Sequence, residues 1–255
     1  MNHNKYKTLF VSDLHIGSSH CNVDAFLAFL KNNEFENIYL CGDIFDFFVI
    51  KTSFFWSESF NTVIQKILRK ARSGTKIFYI PGNHDALIRK LDGYNFGNIS
   101  VLKQAEYTTL NNKKLKIVHG DEFDVFYKGK QIIYILGSAA YSFILFMDKL
   151  IRKINPNFSI SFYFKRLVKK LFEKITKYHL VLESSVKDGN FNGIISGHTH
   201  LPDLQYNEKL IIGNCGCWMA DTLNTCIVEK YDRNLALLVI NKNGEIINEK
   251  ILIGD

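Results

Sequence analysis

Five times along this chain a short apolar run gives way to a motif made of Gly, Asp, Asn and His. The runs cover residues 9–12, 38–41, 76–80, 114–119 and 193–196, and their apolar, β-branched and aromatic content reads as buried strand. The motifs that follow are Asp13-Leu14-His15, Gly42-Asp43-Ile44-Phe45-Asp46, Gly82-Asn83-His84-Asp85, His119-Gly120-Asp121 and Gly197-His198-Thr199-His200. Any one of them alone is an ordinary turn or surface pair, since Asn, Asp and Gly are turn residues. Five in order, each at a strand end, supply Asp, Asn and His side chains enough for two metal ions.

Two divalent cations about 3.5–4 Å apart can hold a phosphate ester from both sides, lower the pKa of a shared water and stabilise the charge that builds on the oxygens. Such a pair needs a bridging ligand. A carboxylate has two oxygens and an imidazole one free nitrogen, so the natural bridge is Asp43, set in a glycine-led turn. Asp13 and His15 are two apart, and strand geometry continued through them would point both to one side, where they chelate one ion together. His198 and His200 have the same spacing, but after Gly197 a loop is expected, from which the two rings can reach different metals. Asn83 and His119 complete the set. Mixed oxygen and imidazole ligands without thiolate favour Mn, Fe, Co or Zn. Glycine precedes Asp43, Asn83 and His198 and follows His119, where a residue without Cβ permits tight strand-to-loop turns.

Strand and helix patterns alternate in the first third of the chain. Phe60, Val63, Ile64, Ile67, Leu68 and Ala71 recur at helical spacing, with Gly74 as a stop. From Asp203 onward short strands are split by turns at Tyr206-Asn207-Glu208 and Asn241-Lys242-Asn243-Gly244. Alternation first and hairpins last point to an α/β fold of two packed sheets flanked by helices. Residues 131–147 are apolar and uncharged, and residues 158–187 look helical with many lysines. Between residues 126 and 180 eleven Lys or Arg stand against Asp148 and Glu173, a net +9 in a protein whose formal charge is +7.

This segment, residues 126–188, reads as a helical cap inserted beside the site within a single domain spanning residues 1–255. A membrane span is the rival, but the apolar stretch is shorter than about 18–20 residues and contains Gln131, Ser138, Tyr141 and Ser142. Positive charge alone serves anionic lipid, pyrophosphate or nucleic acid equally well. Its coupling to Phe143, Ile144, Leu145, Phe146, Phe162, Tyr163 and Phe164 suits a substrate with a charged head and apolar tails. On this reading Phe146 and Phe162 hold acyl chains, and Arg152, Lys165, Arg166 or Lys169 meets phosphate or membrane anions. Aromatics interleaved with Lys also suit single-stranded nucleic acid.

At 255 residues, 47% hydrophobic, the chain can bury a full core, and 22% charged with 14% aromatic residues argues against disorder. Five cysteines with no CxxC make a disulfide framework or zinc ribbon unexpected and suit a reducing cytosol. Residues 1–7 are polar, so no signal peptide is expected.

The five motifs together resemble the calcineurin-like metallophosphoesterase superfamily, and the resemblance covers nearly the whole chain. It implies a four-layer αββα sandwich, two packed mixed sheets flanked by helices, here with the inserted cap. It also implies one metal held by Asp13, His15, Asp43 and His200 and another by Asp43, Asn83, His119 and His198, with manganese the expected ion. His84 would protonate the leaving oxygen and Asp46 would orient it.

A narrower likeness rests on His119-Gly120-Asp121-Glu122-Phe123-Asp124, Ser161-Phe162-Tyr163-Phe164-Lys165, Val168-Lys169-Lys170 and Asn214-Cys215-Gly216 before Trp218. These are similar to the UDP-2,3-diacylglucosamine diphosphatases of lipid A synthesis, which cleave the pyrophosphate of a UDP-linked, doubly acylated glucosamine to UMP and the acylated sugar 1-phosphate. That likeness implies a cytoplasmic enzyme in peripheral contact with the inner face of an anionic membrane, with no stable nucleic-acid partner. Two departures stand out. Well-known diphosphatases carry Arg where His84 stands, and Cys217 takes the place of Asp in Gly-Asp-Trp; neither is expected to touch the metal ligands. The alternative enzyme is a phosphodiesterase or phosphatase on soluble or nucleic-acid substrates. A non-catalytic scaffold is disfavoured because all seven proposed ligands and His84 are present.

Overall fold

β1 (Asn4–Val11) is buried through its whole second half, so it takes the middle of a sheet. The computed structural model describes residues 4–53, 55–123, 178–187, 189–207, 209–220 and 222–252. Two compact units divide the chain, Met1–Asp121 with Glu183–Asp255 and Glu122–Leu182, and the strands among the described residues belong to the first. The cap residues Phe146, Arg152, Phe162, Lys165, Arg166 and Lys169 lie outside the described residues.

On one side of β1 lie β2 (Asn33–Leu40), β3 (Lys76–Tyr79) and β5 (Ile99–Val101), all parallel, closed by the two-residue β4 (Asn95–Phe96). On the other side β11 (Asn224–Glu229), β12 (Leu235–Ile240) and β13 (Ile246–Leu252) run antiparallel. The second sheet holds β6 (Ala105–Thr108), β7 (Lys114–Ile117), β8 (Gly193–Ser196), β10 (Leu210–Asn214) and β9 (Asp203–Asn207) in that spatial order, with β7, β8 and β10 parallel. Both sheets are mixed, and the architecture is the two-sheet α/β arrangement expected from the sequence.

Side-chain alternation along the strands explains the layers. Leu9, Val11, Ile38 and Leu40 join a core with Phe26, Phe29 and Leu30 of α1 (Val23–Asn32) and Phe60, Val63, Ile67 and Ala71 of α3 (Glu58–Arg72), the short α2 (Phe47–Thr52) falling between the two helices in the chain. Phe10 and Tyr39 point the other way and join Tyr107, Leu115, Ile117 and Ile195 of the second sheet. The helix stripe is narrower than expected, because Leu68 is 51% exposed while Lys70 is buried and donates to Asn33 O at 2.8 Å. Gly74, at φ +105°, ends α3 as expected, and Gly244, at φ +78°, closes the turn from β12 to β13.

A buried polar contact ties the sheets together. Glu229 on β11 accepts from Tyr107 Oη on β6 and from Leu110 N at 2.8 Å, while Thr8 Oγ1 donates to Tyr107 Oη at 2.6 Å. Glu229→Ala should leave a buried hydroxyl and a backbone N–H without their acceptor, at a cost of about 2–3 kcal/mol. Phe29→Ala, in the other core, should cost about 3–5 kcal/mol. Urea unfolding of both variants checks these values, and an unchanged midpoint for Glu229→Ala would show that the contact contributes nothing.

Candidate metal centre

The parallel register brings the strand ends level. Val11 pairs with Leu40, Leu40 with Tyr79, Ile117 with Ile195 and Ser196 with Asn214, so the loops carrying Asp13, Asp43, Asn83, His119 and His198 leave from C-terminal strand ends. In open α/β sheets this is where ligands bind. Backbone hydrogen bonds then lock loop to loop: Asp13 N to Gly42 O at 3.0 Å, His15 N to Asp43 O at 3.0 Å, and Gly197 N to His119 O at 2.9 Å. The side chain of Asp13 adds a link of its own by accepting from His198 N at 3.0 Å.

Five of the expected ligands have left-handed backbone: Asp13 (φ 54°), His15 (52°), Asp43 (52°), His198 (67°) and His200 (57°). Each such non-glycine residue costs about 1–3 kcal/mol, and the clustering marks a functional site. It also corrects one expectation. Asp13 and His15 do not converge through strand alternation, because β1 has ended at Val11 and both residues sit in left-handed turns that bring His15 Nε2 to 3.9 Å from Asp13 Oδ1.

Among the described residues the side chains converge in three groups, of which His15, Asp46 and His84 form one and the expected ligands form two. Asp13, His15 and His200 form one, with His200 Nε2 at 3.1 Å from Asp13 Oδ1 and 3.3 Å from His15 Nε2. Asp43, His119 and His198 form the other, with His119 Nε2 at 3.4 Å from Asp43 Oδ2 and at 3.2 Å from Asn83 Oδ1. His198 and His200 thus reach different groups. The outer nitrogens are engaged elsewhere: His119 Nδ1 donates to Cys41 O at 2.9 Å, and His15 Nδ1 meets Asp46 Oδ2 at 3.1 Å. Outer partners of this kind set the tautomer and aim of a metal-binding imidazole.

The donor set fits divalent cations. Asp13 Oδ1 is buried without a hydrogen bond of good geometry, and the inner ring nitrogens of His119 and His200 lie beside amide and carboxylate oxygens. Burial lowers the pKa of His119, but hydrogen bonding and charge from Asp43 outweigh it and lift the value to about 10. Burial raises the pKa of Asp13, yet His200, His119 and His15 hold it well below the usual carboxylate range. Proton and cation compete for the same nitrogens, the signature of ligands that release protons on metal uptake.

His84 stands at the rim. Its Nδ1 lies 3.0 Å from Asp46 Oδ1, outside hydrogen-bond geometry, and its Nε2 lies 3.9 Å from Asp43 Oδ2. Asp46 therefore faces two imidazoles, His15 with one oxygen and His84 with the other. Burial lowers the pKa of His84, but Asp46 and Asp43 raise it above its ordinary value.

Several contributors escape a reading of motifs alone. Asn214 donates to Gly197 O at 2.6 Å and to Thr199 Oγ1 at 3.1 Å, pinning the loop of His198 and His200. Arg89 grips Asp121 with Oδ distances of 2.7 and 2.8 Å. Asp85 accepts backbone and hydroxyl donors from both the Asp43 loop and its own turn. Cys217 hydrogen-bonds Thr222 Oγ1 at 3.1 Å and is one of the groups that raise the pKa of His200, so it bears on a candidate ligand that it was not expected to touch.

Known proteins resemble the chain in sequence and in fold. A family profile described as Calcineurin-like phosphoesterase matches residues 6–202. The chain is 30% identical over 118 residues to UDP-2,3-diacylglucosamine hydrolase of Vibrio atlanticus, covering 45% of this chain and 47% of that protein. It is 28% identical over 200 residues to UDP-2,3-diacylglucosamine hydrolase of Wigglesworthia glossinidia brevipalpis, covering 76% and 79%. The chain thus spans about half the length of the first relative and more of the second. Vacuolar Protein Sorting 29 from Cryptosporidium parvum shares the fold, with TM-score 0.50, 12% identity, and coverage of 96% of this chain and 95% of that one.

Gly82 offers a direct test of the packing around the candidate ligands. A Cβ there would lie 2.2 Å from Asp43 Oδ1 and 2.7 Å from both Asp43 N and His119 Cδ2. Gly82→Ala should displace the carboxylate and weaken affinity for Mn(II) on the order of 10–100-fold, as a change beside a ligand does. Isothermal titration of chelator-treated protein decides it; wild-type affinity in the variant would remove Asp43 from the site.

Proposed function

The chain belongs to the calcineurin-like phosphoesterase family, and from that premise we propose that it is a dinuclear-metal hydrolase cleaving the pyrophosphate of UDP-2,3-diacylglucosamine, or of a similar nucleotide-linked glycolipid, to UMP and acylated sugar 1-phosphate. The observation that carries the chemistry is the convergence of Asp13, His15, Asp43, Asn83, His119, His198 and His200 at adjoining strand ends, with His84 beside them. The substrate rests on the relatives' names and on the basic, aromatic segment 126–188.

In this reading Asp13, His15, Asp43 and His200 hold one ion and Asp43, Asn83, His119 and His198 the other, with Mn(II) as the metal. Two such ions, when bound, activate water and stabilise charge on the phosphoryl oxygens. The protein's own part is positional. Asp43, which lies with His119 and His198, would bridge the two ions, and its Oδ1 also accepts from His84 N at 2.8 Å, which sets the proposed acid beside it. His84, with Nδ1 turned to Asp46, presents Nε2 to the leaving oxygen and delivers its proton as the P–O bond breaks. Asp46 hydrogen-bonds His15 and sets its other oxygen beside that ring as a counter-charge.

Residues 126–188 form, on this proposal, a helical cap in which Phe146 and Phe162 hold acyl chains and Arg152, Lys165, Arg166 or Lys169 meets phosphate or anionic lipid. The enzyme would work at the cytoplasmic face of the membrane by peripheral contact. No helix among the described residues is long and apolar enough to cross a membrane.

A panel of UDP-diacylglucosamine, bis-p-nitrophenyl phosphate and single-stranded DNA, run with Mn(II)-loaded protein, tests the reading. The glycolipid should be hydrolysed with the highest kcat/KM, and cleavage of DNA alone would replace the lipid assignment with a nuclease. His84→Ala should lose roughly 10²–10⁴ in turnover on the glycolipid and much less on p-nitrophenyl ester, whose leaving group needs no proton. Equal losses on both would show that His84 does not act as an acid.

A separate prediction concerns the cap. Phe146→Asp with Phe162→Asp should raise KM for long-chain substrate by an order of magnitude or more, since each buried CH₂ is worth about 0.8 kcal/mol. Hydrolysis of the small diester should stay near wild type. Equal impairment of both substrates in a folded variant would make the segment structural.

A further inference from the structure

We propose that Asp85 is the positioning residue of the metal centre, acting through the backbone of Asp43 and the turn that carries Asn83 and His84; the inference rests on the proposed metal site. Asp85 is fully buried, 0% exposed, and belongs to none of the three groups of convergent side chains. Its Oδ1 accepts from Gly82 N at 2.6 Å and from Asp43 N at 3.3 Å. Its Oδ2 accepts from Ile44 N at 2.8 Å, from Tyr79 Oη at 2.5 Å and, more weakly, from Phe45 N at 3.4 Å. One carboxylate thus gathers donors from the loop after β2, the end of β3 and the turn after β3.

The link is returned from the other side. Asp43 Oδ1 accepts from His84 N at 2.8 Å, so each loop's carboxylate holds the other loop's backbone. Asp43 adopts φ 52°, which costs free energy unless its surroundings enforce it. The Asp85 bonds to residues 43, 44 and 45 span that strained position, and the bond to Gly82 fixes where Asn83 begins. Remove them and Asp43 can relax, turning the bridging carboxylate away from His119 and shifting His84 with it. A carboxylate accepts at both oxygens without donating, which an Asn of the same size cannot do. The amide of Asp85→Asn would put an N–H₂ against N–H donors whichever way it turned.

The test separates positioning from plain stability. Asp85→Asn and Tyr79→Phe are purified, checked by circular dichroism, stripped with chelator and titrated with Mn(II) by calorimetry. We expect a 10–100-fold loss of Mn(II) affinity in Asp85→Asn, the usual effect of removing an outer partner, and a smaller loss in Tyr79→Phe, which keeps the backbone bonds. With saturating Mn(II), Asp85→Asn should lower kcat with KM within about twofold, and more on the glycolipid than on p-nitrophenyl ester, because His84 is displaced. A folded Asp85→Asn that binds Mn(II) like wild type overturns the proposal, even if its melting temperature falls. Should Asp85→Asn not fold, Tyr79→Phe decides, and wild-type Mn(II) affinity there overturns it. Wild-type protein that binds Mn(II) but leaves the glycolipid intact would sink the substrate reading alone, since affinity is read without substrate.

Discussion

The parallel pairing of β1 with β2, Val11 opposite Leu40, is the constraint on which the site depends. A one-residue slip would turn Leu9, Val11, Ile38 and Leu40 from the helix side to the second sheet, so burial on both faces fixes the register. Because the register is fixed, the loops after the two strands leave together and exchange the backbone bonds Asp13 N to Gly42 O, His15 N to Asp43 O and Ile16 N to Ile44 O at 3.0, 3.0 and 2.8 Å. The same logic holds for β7, β8 and β10 in the second sheet. The hydrophobic core, which carries no chemistry, thereby decides where the chemistry sits.

Strain at the site is the counterpart of that rigidity. Asp13, His15, Asp43, His198 and His200 adopt conformations that an isolated loop would avoid. The neighbours leave little slack: a Cβ at Gly42 would sit 2.2 Å from His119 Nδ1, and one at Gly197 would sit 2.5 Å from Asp13 Oδ2. Glycines here are needed for close approach of loop backbone to ligand side chains as much as for turning. Carboxylates packed against imidazoles in a buried pocket are unfavourable on their own terms, and a divalent cation is what makes such an arrangement worth keeping.

The candidate site was legible as a set of motifs whose residue types have few other uses together, and the two-sheet fold was legible because strand-helix alternation and late hairpins are strong patterns. Short elements were not: β4, β5 and β6 hold two to four residues each, too few for periodicity to declare them. Nor could spacing show that Asp13 and His15 converge through left-handed turns, since φ is set by tertiary bonds. Asn214 and Asp85 were missed as organisers because their role lies in which backbone donors they meet across the fold. Leu68 shows the opposite error, a residue on the apolar stripe that the packing leaves in solvent.

The candidate ligands and the rim beside them are built differently. The former come from the loops at strand ends and are tied to one another, whereas Phe48, whose ring lies 5.1 Å from that of His84, is 53% exposed. A change at the rim alters what is recognised while leaving the metal ligands in place, which is how one fold serves many substrates. His84 in place of Arg belongs to this rim. Cys217, which stands where the resembling diphosphatases are expected to carry Asp, hydrogen-bonds Thr222 and is one of the groups that raise the pKa of His200, so this departure bears on a candidate ligand while the other lies at the rim.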